Sequence, residues 1–221
     1  MTRMALPGVV AVIGLSASAL TLAVQRSDPA AFDRFFGGLP PAGVVIGVSV
    51  LAYPLLRYLG DRGWGLCEGG GPVWWTVLVG AVLLSSVAIV ADLALRFPED
   101  MNLASPRALA FYPAVAWVVE VVLHTLPLVL LVAAFGSPDS VGETRFWLMA
   151  ATIASIEAVI QALFATTAGT AVFSALHLLA VGVFQVYLFR RFGFLPMLGF
   201  RLAYYAIWHL AWGAVRIPLL F

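Results

Sequence analysis

The chain has 221 residues, 62% of them hydrophobic, with a mean hydropathy of +1.01 and a formal net charge of +1. An ordinary soluble domain is about 45–50% apolar, so this composition excludes a water-soluble globular protein, and the near-neutral charge excludes an electrostatic binder of nucleic acid. All 12 basic residues are arginine, so a Walker-type phosphate lysine and a Schiff-base lysine are excluded too.

A helical span needs about 20 mainly apolar residues. In chain order the hydropathy predicts spans over 6–24, 42–59, 73–95, 109–134, 146–166, 168–189 and 196–219. The first is read as a span and not as a signal peptide, because Arg3 is its only N-terminal positive charge and its apolar run outlasts a signal core of about 7–15 residues. Breakers separate the spans: Gly37, Gly38, Pro40 and Pro41, then Gly69, Gly70, Gly71 and Pro72, then Pro98, and finally Gly136 with Pro138. The expected fold is all-α, a polytopic transmembrane helix bundle of about seven spans forming a single integral membrane domain over 1–221. Trp74 and Trp75 suit an interfacial belt, and Gly43 with Gly47 suits close helix packing. Cys67 lies in a glycine-rich loop and is read as a lone thiol.

Arginines in alternate loops divide six (Arg3, Arg57, Arg62, Arg145, Arg190, Arg191) against four (Arg26, Arg34, Arg96, Arg107). The positive-inside rule then puts the N-terminus and the Arg190–Arg191 turn in the cytoplasm. The arginine-only, alanine- and valine-rich composition fits a GC-rich bacterial genome, so the bacterial inner membrane is the expected location.

Ionisable groups are costly at membrane depth, by about 2.5–3.5 kcal/mol on insertion scales, and mark sites. Asp92, near the end of the third span, reads as a helix-end charge. Glu120 and His124 stand four apart in the fourth span and share a helix face. Glu157 and Gln161 repeat that spacing in the fifth, and His177 and His209 come from the sixth and seventh. Tyr205 and Arg216 can share a face with His209, with Arg216 read as reaching the interface. Five costly groups in neighbouring spans ask for a shared hydrated cavity. In it a glutamate could activate water while imidazoles stabilise an oxyanion, the chemistry of intramembrane proteolysis. No HExxH helix, paired intramembrane aspartates or GxSxG turn supports another protease class.

Phe173-Ser174-Ala175-Leu176-His177 matches an FxxxH motif. His209 follows 32 residues later, after a tight Arg190-Arg191-Phe192-Gly193-Phe194 turn. Over roughly 109–216 the chain thereby resembles the CPBP family of intramembrane proteases, also called the Abi or type II CAAX prenyl-endopeptidase family. That family's first motif, EExxxR, reads here Glu120-Val121-Val122-Leu123-His124, and its third, HxxxN, has Gly213 at the asparagine position. Glu157 is an alternative first-motif glutamate. The resemblance implies a catalytic core over 109–216 in which Glu120 activates water and His177 and His209 shape the oxyanion site. His124, Glu157 and Phe173 would support them, and the substrate would be a membrane protein or lipidated peptide. It implies no cofactor as the favoured case, with zinc on Glu120, His177 and His209 as the other. Two further classes stay open: a catalytically inactive CPBP-like membrane scaffold, and a proton- or solute-translocating membrane protein, since glutamate and histidine chains also relay protons.

Overall fold

The computed structural model describes residues 6–28, 30–136 and 138–221, without side chains for 34 and 138–141. No strand occurs among the described residues. Helix α1 (Leu6–Ser27) leads through a short α2 (Asp33–Phe36) to α3 (Pro41–Gly60) and α4 (Gly71–Leu95). Helix α5 (Arg107–Val119), a π-helical turn (Glu120–Thr125) and α6 (Leu126–Phe135) form one continuous span. Helices α7 (Pro138–Leu163, kinked at Gly142) and α8 (Ala168–Phe192) follow. A last run joins α9 (Phe194–Tyr205), a second π-helical turn (Ala206–Trp212) and α10 (Gly213–Leu220).

Six helices are long and apolar enough to cross a membrane. Their boundaries fall within a few residues of the first six expected spans. The seventh expected span is the run from α9 to α10, where Arg201, His209 and Arg216 dilute the apolar content. Exposed apolar side chains such as Trp75, Leu83 and Val90 on α4 face outward, a surface that suits hydrocarbon and not water. The chain is an integral membrane protein. Arg3, counted above in the charge asymmetry, lies outside the described residues.

The centre of the bundle is the α5–α6 span, whose residues 114–118 are all buried. Both faces of this helix are occupied, with α1 and α3 on one side and α9 on another. Helices α7 and α8 form the most extensive pair. Gly182 of α8 makes their approach possible, because a Cβ there would stand 2.7 Å from the Ala154 Cβ and 2.9 Å from its Cα. Thr167 caps α8, accepting a hydrogen bond from the Thr170 N–H at 3.2 Å.

Both π turns fall where candidate residues lie. Pro127 lacks the N–H that would continue the α-helical ladder, and its ring presses on the preceding turn. The chain widens there: the Leu126 N–H bonds Val121 O, five residues back, and the Thr125 hydroxyl donates to Glu120 O at 2.8 Å. Single-turn π segments of this kind concentrate at functional sites.

One surface loop is fixed in place. Between α3 and α4 the backbone docks on the α8–α9 turn, with Phe194 N–H on Gly65 O at 3.1 Å, Leu195 N–H on Leu66 O at 2.8 Å and Glu68 N–H on Phe192 O at 2.7 Å. Gly193 turns there at φ +97°, and a Cβ would strike Leu66, Cys67 and Gly65 backbone atoms at 2.7–2.8 Å, so glycine is required. The loop bearing Arg62 and Cys67 therefore shares one end of the bundle with Arg190 and Arg191, as the alternation of spans predicts.

Candidate functional site: a buried charge cluster

Glu120 is fully buried, and its side-chain hydrogen-bond partners come from two other helices. Its Oε1 accepts hydrogen bonds from the Arg201 Nε of α9 and the Gln185 Nε2 of α8. Arg201, only 3% exposed, then grips Glu157 of α7 with both terminal nitrogens, at 2.8 and 2.7 Å. This is the two-pronged geometry at which a guanidinium binds a carboxylate best. Arg201 also donates to Gln185 Oε1 at 2.8 Å and to the Tyr205 hydroxyl at 3.2 Å. One guanidinium thus sits between two carboxylates.

His124 lies against the same pair. Its Nδ1 is 3.6 Å from Glu120 Oε2 and its Nε2 is 4.0 Å from Glu157 Oε2. Among the described residues neither imidazole nitrogen has a hydrogen-bond partner, and neither does Glu120 Oε2, although all three atoms are buried. Nearly all buried polar atoms in proteins are paired, so unpaired ones call for an explanation. Here they sit together, between acids and a base.

The other two histidines have separate settings. His177 is hydrogen-bonded through Nε2 to the Tyr204 hydroxyl at 3.0 Å, and its ring stacks on Phe173 with centroids 5.1 Å apart. His209 faces Asn102 Oδ1 through Nδ1 at 3.1 Å, stacks on Tyr112 at 4.2 Å and meets the edge of Tyr205 at 4.9 Å. The structure therefore brings together Glu120, His124 and Glu157, and pairs Phe173 with His177. It gives Glu120, His177 and His209 three different sets of partners. Among the described residues no group of three or more His, Cys, Asp or Glu side chains is placed to hold a metal ion.

Sequence reasoning left several members out. Gln185 is open to the same argument from intramembrane polarity that selects Glu157, and Arg201 reads as deep if the last span starts at Pro196 and as a boundary residue if it starts later. Gln161, one turn beyond Glu157, is exposed and takes no part. Arg216 does not reach for the interface: it is fully buried and paired with Asp92, Nε to Oδ2 at 2.7 Å and Nη2 to Oδ1 at 3.1 Å. Asp92 in turn also accepts from Trp212 Nε1 at 2.7 Å and from the Phe97 N–H at 2.9 Å. Asp92 does stand in the last turn of α4, but it is fully buried, in an ion pair that ties α4 to α10.

In comparisons with family models, with curated proteins and with solved structures, nothing matches this chain.

Proposed function

We propose that the chain is a proton-exchanging membrane protein whose proton resides in the Glu120–His124–Glu157–Arg201 cluster. The observation that supports this is the unpartnered His124, set between two buried carboxylates at 3.6 and 4.0 Å. Two carboxylates and one guanidinium leave one negative charge in a site with almost no solvent contact. Such a charge is expensive unless compensated, and one added proton would compensate it. Glu120 Oε2 and the one imidazole nitrogen that carries the lone pair are the atoms open to it. Arg201 donates to Tyr205, whose ring meets His209 at the wall of a cavity.

The test is proton flux into proteoliposomes carrying an internal pH dye, driven by a potassium diffusion potential. The wild-type protein is expected to acidify the lumen and Glu120→Gln to lose that flux while folding normally, because glutamine removes the surplus negative charge. Equal flux in both proteins would overturn the reading.

Hydrolysis is the second reading, and one observation favours it. The arginine and asparagine missing from the first and third motifs have counterparts elsewhere in the chain: Arg201 of α9 donates to Glu120, and Asn102, between α4 and α5, pairs with His209. In that reading Glu120 activates water, and the substrate is a membrane protein or lipidated peptide of a bacterial inner membrane. Cleavage of co-expressed tagged membrane proteins, lost in Glu120→Gln, is its expected signature. Unchanged cleavage in that variant, or none in the wild type, counts against it.

A further inference from the structure

We infer that the cavity beside His209 binds an uncharged amphiphile that presents a hydroxyl group to the imidazole, a long-chain alcohol being the simplest case. The cavity measures about 590 Å³ and lies between the 102–109 segment and the last helical run, within the range of about 300–1,000 Å³ typical of small-molecule sites. Its walls include Leu109, Leu210, Ala211, Ala214 and Ile217, and no charged side chain lines it. A charged ligand would find no counterion there, which selects a neutral one.

The polar end is set by Asn102. Its Nδ2 donates to the Trp208 carbonyl at 3.4 Å, and a carbonyl can only accept, so Oδ1 is the atom that faces His209. His209 Nδ1 must therefore carry the hydrogen in that contact, which leaves the lone pair of the neutral ring on Nε2. Gly213 makes room for this arrangement, since a Cβ there would stand 2.7 Å from Asn102 Nδ2. Tyr112 and Tyr205 hold the ring from its face and edge. With His209 on its wall beside mostly apolar side chains, Asn102 and Ser105 being the other polar ones, the cavity is assigned the imidazole as its acceptor, and a hydroxyl donor on an apolar body complements both. Leu109, Ala211, Ala214 and Ile217 are exposed at the flank of the bundle, so a ligand can enter sideways from the lipid.

This inference is independent of the proton reading and stands or falls on a binding experiment. The protein in lipid nanodiscs is photolabelled with a twelve-carbon primary alcohol bearing a diazirine, and labelled peptides are identified by mass spectrometry. Labelling is expected within 102–109 or 206–217, displaced by dodecan-1-ol but not by dodecane or dodecyltrimethylammonium. His209→Phe keeps the ring stacking and removes the acceptor, so labelling should fall about three- to tenfold, the worth of one neutral hydrogen bond. Ala214→Phe fills the cavity from its exposed rim and should abolish labelling even if the histidine variant folds poorly. Displacement by dodecane as effective as by the alcohol, or full labelling of either variant, would overturn the assignment.

Discussion

At the scale of single residues, Arg201 is the member on which the buried cluster depends. It bonds both Glu120 and Glu157, and both carboxylates are almost wholly withdrawn from solvent. Removing one partner of a buried ion pair leaves an uncompensated charge and typically costs about 3–5 kcal/mol. Arg201→Met should therefore lower stability by that order in detergent unfolding followed by circular dichroism. Combined with Glu157→Gln it should cost less, because one of the two stranded charges is gone. Additive losses in the double variant would show that the three side chains do not act as one electrostatic unit.

Elements of the bundle are held by close approach as much as by charge. Lipid is as apolar as a leucine side chain, so helices in a membrane gain from dense packing around small residues. Gly182 is the clearest instance, lying against Ala154 with the His124 imidazole 3.5 Å from where a Cβ would stand. Gly182→Ala is expected to push α7 from α8 and destabilise the protein by about 1–3 kcal/mol, as overpacking does. The variant should also disturb the Glu157–His124 contact, readable as a shifted imidazole signal in NMR of histidine-labelled protein. A wild-type unfolding profile and spectrum would mean that the pair relaxes without strain.

For the whole molecule the open quantity is direction across the membrane. Backbone hydrogen bonds fasten the loop of Cys67 to the α8–α9 turn, so Arg62, Cys67, Arg190 and Arg191 lie at one end. The positive-inside rule predicts that this end faces the cytoplasm. Because Cys67 is the single cysteine of the chain, a membrane-impermeant maleimide reports on that end without engineering. It is expected to label inverted vesicles and to spare intact cells. Labelling of intact cells would reverse the orientation.

Hydropathy alone determined the helical class, the integral membrane character and the span boundaries to within a few residues, because apolar length is a local property of the chain. The same local reading selected Glu120, His124 and Glu157, since a carboxylate or imidazole is conspicuous in any apolar run. What no local pattern could supply was pairing. Glu120 shares a guanidinium with Glu157 through Arg201, 81 residues further along the chain, while His177 and His209 go to Tyr204 and Asn102. Arg216 goes to Asp92. Spacing along one helix fixes which residues share a face, but the neighbour that a face meets depends on how helices pack against one another. Only the tertiary arrangement decided that three of the five conspicuous groups form one charged cluster and that the other two stand outside it.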